Sequence, residues 1–437
     1  MKRIYSQYAY GPGPRDTCWW DETIAAPDWP TVQGDLAVDV AIVGGGFTGM
    51  SAALHLAESG ASVAVLEAET PGWGASGRNG GFCCLGGAKL SSSAMVSAFG
   101  SVATDEFSQA EVDAISLVSD LLDRFGIDVD RHSDGETQLA HRPKDMDRFL
   151  VTAAQDPTQT LIEAADLAAH GMNGPFFGAL TTPVGFGLNP RKYLFGLAAA
   201  ANAAGAQLFQ QSAVTSVRKD GPGYLATTTS GQIRCKQVLI ATNGYSSDGL
   251  PDWISGRYIP TQSTVLVTRP MSIDELAAQG WTSNQMSYDT RNLLHYFRLM
   301  PDRRFLFGMR GGLISSPTAE RQSRQRTRRD FERIFPAWRD IQSGNSWSGM
   351  VCLSRKQVPY AGPVPGQPGM FAGFAYHGNG VAMGSYTGRL LAGLAGAKIP
   401  NVSIPEVMKS SPGRFPLGRA RRALLPPFYA AMGVADL

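Results

Sequence analysis

The sequence predicts an α/β fold, α+β overall: a parallel strand–helix–strand unit near the N-terminus and a second, antiparallel sheet later in the chain. Three observations carry this. The apolar run V-D-V-A-I-V (Val38–Val43) passes through G-G-G-F-T-G into a helical stretch that stops at Gly60. S-V-A-V-L then reads as a second buried strand, closing on Glu67. From about residue 257 to 315, alternating stretches such as T-V-L-V-T and H-Y-F-R-L have the period of an antiparallel sheet.

The elements follow in order. Residues 1–35 are rich in Pro, Gly and Trp (Trp19, Trp20, Trp29) and have no clear period, so they read as an arm draped over the body, anchored by its indoles. After the strand–helix–strand unit, Pro71–Gly81 is too rich in glycine for regular structure. Residues from about 91 to 180 read as mostly helical, with one amphipathic helix stopping at Gly126. Another helix runs from Leu188 to a stop at Gly205, followed by four strand-like runs ending at Q-V-L-I-A-T-N-G-Y. A Gly-rich strand-to-helix passage, F-A-G-F-A-Y-H-G-N-G-V-A-M-G, opens the last long helix.

Composition narrows the function classes. The 437 residues hold 50 glycines, well above the ~7% average, without a collagen period. Charges nearly cancel, with 39 Lys and Arg against 37 Asp and Glu, which gives no reason to expect a nucleic-acid partner. The arginine run 321–333 reads as an exposed helix face with Phe331, Ile334 and Phe335 turned inward. No apolar run has a membrane-spanning length, and the N-terminus lacks the apolar core of a signal peptide. Five scattered cysteines fit free thiols in a reducing compartment, so the expected location is cytoplasmic. No His/Cys spacing calls for a metal.

The glycines at 44, 46 and 49 form G-x-G-x-x-G between a strand and a helix. The first permits the tight turn, the second lets backbone approach a pyrophosphate, and the third lets the helix lie close to the strand. Glu67, at the end of the next strand, is placed for a ribose hydroxyl. Together these are a Rossmann-like dinucleotide site, which alone does not choose between NAD and FAD. G-A-S-G-R-N-G-G lies just past the second strand, where open α/β sheets bind ligands, and Arg78 can offer charge there. Gly378, Asn379, Gly380 and Val381 open the last helix, whose N-terminus could stabilise a reduced ring; a plain helix cap with Asn379 as cap residue is the alternative. For catalysis the candidates are Tyr296 and Arg298, at i and i+2 on one strand face, and His377 beside the late turn. Tyr296 could orient an amine and Arg298 bind a carboxylate, against a packed Tyr and a salt-bridged Arg; a hydrogen-bonded structural role is the alternative for His377.

G-G-G-F-T-G-M-S-A-A-L-H-L-A with G-W-G-A-S-G-R-N-G-G resembles the D-amino-acid-oxidase-type flavoproteins, in particular the branch of γ-glutamylputrescine oxidases and related amine and imino-acid oxidases. D-T-R-N-L-L-H-Y-F-R-L-M-P-D-R-R-F-L-F-G and Y-T-G-R-L-L-A match that branch in character, and the resemblance runs from about residue 5 onward. It implies an FAD-binding domain (36–98, 182–250, 350–437) and a sheet-based substrate domain (99–181, 251–349). It implies oxidation of a C–N bond in a small amine or amino or imino acid, with O2 or another acceptor taking the electrons. By position, Gly44, Gly46, Phe47, Thr48 and Gly49 would hold the pyrophosphate, and Glu67 with Ala68 the adenosine ribose. Ser76, Gly77, Arg78, Asn79, Gly80 and Gly81 would lie against the flavin, Val214 would meet adenine through its backbone, and Asn243 would complete the cofactor set. The 378–381 turn would meet the pyrimidine edge.

Two departures shape the expectation. Relatives read G-H-G where this chain has Gly378-Asn379-Gly380, and a carboxylate-binding Lys is replaced by the Ala382–Met383 stretch. Cys352 is offset from the place where some relatives attach FAD covalently, so non-covalent FAD is expected. A monooxygenase fed by NAD(P)H is the first alternative, weakened by the lack of a second dinucleotide fingerprint; an RNA-associated flavoprotein using the 321–333 arginines is the second.

Overall fold

The computed structural model describes residues 2–400 and 403–436. A parallel sheet is ordered Met370–Phe374, Gly231–Ile240, Gly34–Val43, Val63–Leu66, Gln207–Phe209, with Tyr360–Pro363 antiparallel at one edge. An antiparallel ribbon, Ser216–Asp220 with Gly223–Thr227, hangs from the Gly231–Ile240 strand. The segments Val40–Val43, Val63–Leu66 and Val238–Ile240 are apolar and buried because both faces of the sheet are covered there. Val40, Ile42, Val63 and Val65 face helices Phe47–Glu58, Pro190–Ala203 and Ala382–Leu394. Ala41, Val43, Ala64 and Leu66 face the ribbon side with Tyr224 and Tyr258.

The second sheet has eight strands, ordered Asn345–Leu353, Ile259–Val267, Phe305–Gly312, His295–Leu299, Met286–Asp289, Glu136–Leu139, Gly178–Thr182, Thr160–Glu163. It is antiparallel except for Met286–Asp289 beside Glu136–Leu139, which run parallel. One face is a dry aromatic layer of Phe297, Phe305 and Phe307, closed by Phe331, Phe335 and Trp338. Each such ring contributes about 1.5–3 kcal/mol by burial. The other face carries Val265, Tyr296 and Leu306 and turns toward the parallel sheet.

Two expectations need correction. The 91–180 segment holds three helices, as expected, but also supplies three strands of the second sheet that the helical reading missed. These strands are four or five residues long and partly polar, which hides their period. Its long helix, Ser101–Phe125, packs Phe107, Ala114, Val118 and Leu121 into the core of the parallel sheet. Residues 101–125, grouped by the sequence reading with the second sheet, thus pack against the parallel one. Gly126 ends that helix in the left-handed region, as the sequence signals.

The arm of residues 2–33 is made of short helical turns. Trp20 is buried, its Nε1 donates to the Asn79 carbonyl oxygen at 2.8 Å, and its ring meets Trp347 edge-on. The arginine helix is Pro317–Ile334, with Phe331 and Ile334 inward. Arg328 pairs with Glu332 and Arg333 with Asp330, while Arg324 donates to the Gly13 carbonyl oxygen. Among the described residues no helix is long and apolar enough to cross a membrane.

Candidate active site

A cavity of about 390 Å3 runs between the carboxyl ends of the parallel strands and the inner face of the second sheet. Val43, Leu66 and Ala241, at or just after three strand ends, line it. This is where open α/β sheets place ligands.

At one end stands the glycine loop. Gly44 has φ +109, and a Cβ there would lie 2.8 Å from the Ala241 carbonyl oxygen. A Cβ at Gly49 would overlap the Gly44 carbonyl oxygen, so only glycine lets the helix start this close to its strand. Helix Phe47–Glu58 then presents its first turn to the cavity through Phe47 and Thr48. Its first amides have no partner within the helix, which suits an anionic diphosphate. Glu67 Oε2 accepts from Gly45 N–H at 2.9 Å and Oε1 from Glu69 N–H at 3.0 Å. Burial pushes its pKa up, and these amides oppose that. Each oxygen keeps a further lone pair for a hydroxyl.

The middle of the cavity is bounded by Ser76, Arg78, Asn79 and Gly80. Ser76 accepts from Phe47 N–H at 3.0 Å, tying this loop to the first helix. Arg78 is buried, with Nε donating to the Trp73 carbonyl oxygen at 2.6 Å and Nη2 without a partner. A buried guanidinium with an unused donor on a cavity wall fits an anionic or carbonyl-bearing group. Val214 and Ala68 also line the cavity, and Asn243 is held by accepting from Ala375 N–H at 2.9 Å.

At the other end, Gly378, Asn379, Gly380 and Val381 line the wall and helix Ala382–Leu394 starts immediately after. Asn379 is not the helix cap: its Nδ2 donates to the Leu85 carbonyl oxygen at 2.5 Å and to Cys84 Sγ at 3.3 Å. Of the residues expected to touch a cofactor, Gly49, Gly77 and Gly81 do not line the cavity. Their place is in backbone packing, where a Cβ would overlap the carbonyl oxygens of Gly44, Gly72 and Leu188 respectively.

The catalytic candidates separate. Tyr296 lines the cavity, shares a hydrogen bond with Ser263 Oγ at 3.0 Å and meets Phe82 edge-on. Arg298 lies on the same strand face but does not reach the cavity. It is 0% exposed, donates to the Leu188 carbonyl oxygen at 2.8 Å and stands 2.9 Å from His132 Nε2. His377 borders the cavity, but its ring is fully engaged: Nδ1 bonds the Gly87 carbonyl oxygen at 2.8 Å and Nε2 accepts from Ser354 N–H at 3.1 Å. Burial lowers its pKa to about 4, so the ring is neutral.

Three cationic wall residues were not anticipated: Arg3, Lys89 and Arg310. Arg310 lines the cavity and donates to the His377 carbonyl oxygen at 3.0 Å. Burial lowers its pKa. Lys89 also lines the wall, and burial, reinforced by Arg310, brings its pKa to about 7. The alternation of F-L-F-G-M-R could have found Arg310. Phe305 and Phe307 point into the aromatic core, which leaves Arg310 on the Tyr296 side.

The family model for FAD-dependent oxidoreductases, DAO, matches residues 39–394. The chain is 30% identical over 416 residues to a probable oxidoreductase OrdL of Rhizobium meliloti, covering 93% of this chain and 94% of that one. It is 28% identical to the γ-glutamylputrescine oxidoreductase of Escherichia coli, covering 93% of each. The structure of glycine oxidase from Geobacillus kaustophilus superposes with a TM-score of 0.70 at 21% identity, over 86% of this chain and 99% of that one. The chain belongs to the DAO family of FAD-dependent oxidoreductases.

Proposed function

We propose that this FAD-dependent oxidoreductase oxidises the C–N bond of a small amine or amino or imino acid. The observation that carries this is the meeting of Tyr296 and Arg310, from the second sheet, with Gly80 and the 378–381 turn around one end of the cavity. Relatives named γ-glutamylputrescine oxidoreductase and glycine oxidase support it.

FAD, when bound, supplies a two-electron acceptor for hydride from the carbon attached to nitrogen. The chain's own residues would bind, orient and dehydrate. The glycine loop and first helix turn would hold the diphosphate, Glu67 a ribose hydroxyl, and Arg78 Nη2 an anionic or carbonyl edge. Tyr296, steadied by Ser263, would orient the amine, and Arg310 would receive a carboxylate where the substrate has one. The amine must react as the free base, so one proton leaves its nitrogen; the imine then takes up water to give a carbonyl compound and a released amine or ammonia. Cys352 lines the cavity, but burial lifts its pKa to about 12. A protonated thiol is a poor nucleophile, which favours non-covalent FAD.

The test is anaerobic mixing of the holoenzyme with amines, N-methyl amino acids and polyamine conjugates, followed by flavin absorbance. An amine is expected to bleach the flavin and NADPH alone is not. Rapid bleaching by NADPH alone would replace this reading with the monooxygenase one.

A further inference from the structure

We propose that the cavity contains a second recognition point, Glu136, which receives a cationic ammonium group of the substrate other than the amine being oxidised. The inference rests on the amine-oxidation reading and adds the substrate class: diamines, polyamines and their conjugates.

Glu136 begins the Glu136–Leu139 strand of the second sheet and lines the same cavity as Tyr296. Their strands are two apart and their register differs by two residues, so at ~4.8 Å per strand and ~3.3 Å per residue they stand about 12 Å from one another across the sheet. Glu136 is 6% exposed. Oε1 accepts from Tyr288 O–H at 3.0 Å, and Oε2 has no hydrogen-bond partner. The Cys84 thiol lies beside the carboxyl but is a weak donor. Glu111, from the long helix Ser101–Phe125, faces Glu136 and the Gly86 amide.

Neither carboxyl has a cationic partner among the described residues; what acts on Glu136 is burial, Tyr288 and Cys84. The cavity's cations stand elsewhere. Arg310 and Lys89 flank His377, Arg78 lies against Trp73 and Tyr245, and Arg3 over Tyr10. A buried carboxyl left without a cation is costly, and such groups are found paired or neutral. Burial holds both Glu111 and Glu136 near pKa 7, Glu111 being raised further by Glu136. A bound ammonium would supply the missing charge and satisfy Oε2. Tyr288, buried and hydrogen-bonded to the other oxygen, fixes the carboxyl's direction. Glu136 is thus a specificity residue, remote from the reacting carbon.

The test compares putrescine and spermidine with n-butylamine on the holoenzyme, reading KM from flavin reduction and Kd from the flavin band shift and the rise in melting temperature. The wild type should favour the diamine by at least about tenfold, the size of one charge-assisted hydrogen bond. Glu136→Gln, which keeps the Tyr288 contact and the shape, should erase that preference and leave n-butylamine within about twofold. Tyr288→Phe should weaken diamine binding to a lesser extent, and it serves if the Gln variant does not fold. Equal loss for diamine and monoamine would make Glu136 a base for the reacting amine and overturn the proposal, as would a wild type without diamine preference. If no amine reduces the flavin, the oxidation reading fails by itself. The band shift and melting rise with diamine then still decide the role of Glu136, and their absence overturns it.

Discussion

Arg310 Nη2 donates to the carbonyl oxygen of His377 at 3.0 Å, joining the second sheet to the turn that opens the last helix. His377 has φ +50 and a neutral ring bonded at both nitrogens, so its carbonyl is held in place from behind. The guanidinium is therefore pre-aimed with donors left over for a ligand. Arg310→Met should lower kcat/KM for carboxylate-bearing amines by about 10–100-fold while changing carboxylate-free amines within about threefold. Arg310→Lys should recover only part, because a point charge lacks the planar fork. Steady-state kinetics with the two amine classes checks this.

The glycine loop makes a graded prediction. Gly49→Ala drives a Cβ into the backbone oxygen of Gly44, which cannot move without displacing the strand end. Purified protein should be nearly flavin-free and melt well below wild type. Gly46→Ala meets only Ser76 Oγ, at 2.8 Å, the end of a rotatable side chain. Flavin loss should be partial, and adding Ser76→Ala should restore some of it. The flavin-to-protein absorbance ratio reads both.

His377 predicts a pH dependence of stability. Its pKa falls from the ordinary 6.5 to about 4 on folding, chiefly by burial. The unfolded chain then binds a proton that the native protein refuses. The associated stability is complete above pH 6.5 and is lost as pH falls toward 4, by at most about 3 kcal/mol. His377→Gln should flatten this part of the curve, measured as the difference between the two urea-unfolding series at each pH.

How far the sequence alone reached can be argued residue by residue. The first strand–helix–strand unit was legible because Val38–Val43, the three glycines and Glu67 are local signals set by backbone sterics and strand burial. Tyr296 was legible from a five-residue alternation. Arg298 has the same periodicity yet misses the cavity, because which part of a strand faces a cavity depends on strands distant in sequence. Glu136 gave no signal at all. Its strand partner Met286 lies 150 residues away and the cation it lacks can be seen missing only in three dimensions.

Glu136 also predicts stability, with the opposite sign from His377. Its pKa rises from the ordinary 4.5 to about 7, chiefly by burial. The native carboxyl keeps a proton that the unfolded chain gives up, so the stability it confers is present below pH 4.5 and is lost as pH rises through 7. Above that, the wild type carries a charged carboxylate with one oxygen unpaired. Glu136→Gln removes the penalty. The variant should match the wild type near pH 4 and exceed it at pH 8.5 by up to ~3 kcal/mol, in urea unfolding of ligand-free holoenzyme. Adding putrescine at equal concentration should narrow that gap at pH 8.5 by stabilising the wild type more than the variant, because the diamine then provides the countercharge that the fold withholds. A variant no more stable than wild type at pH 8.5 would mean that the carboxyl is already compensated, and the argument for a cation at this place would lose its energetic basis.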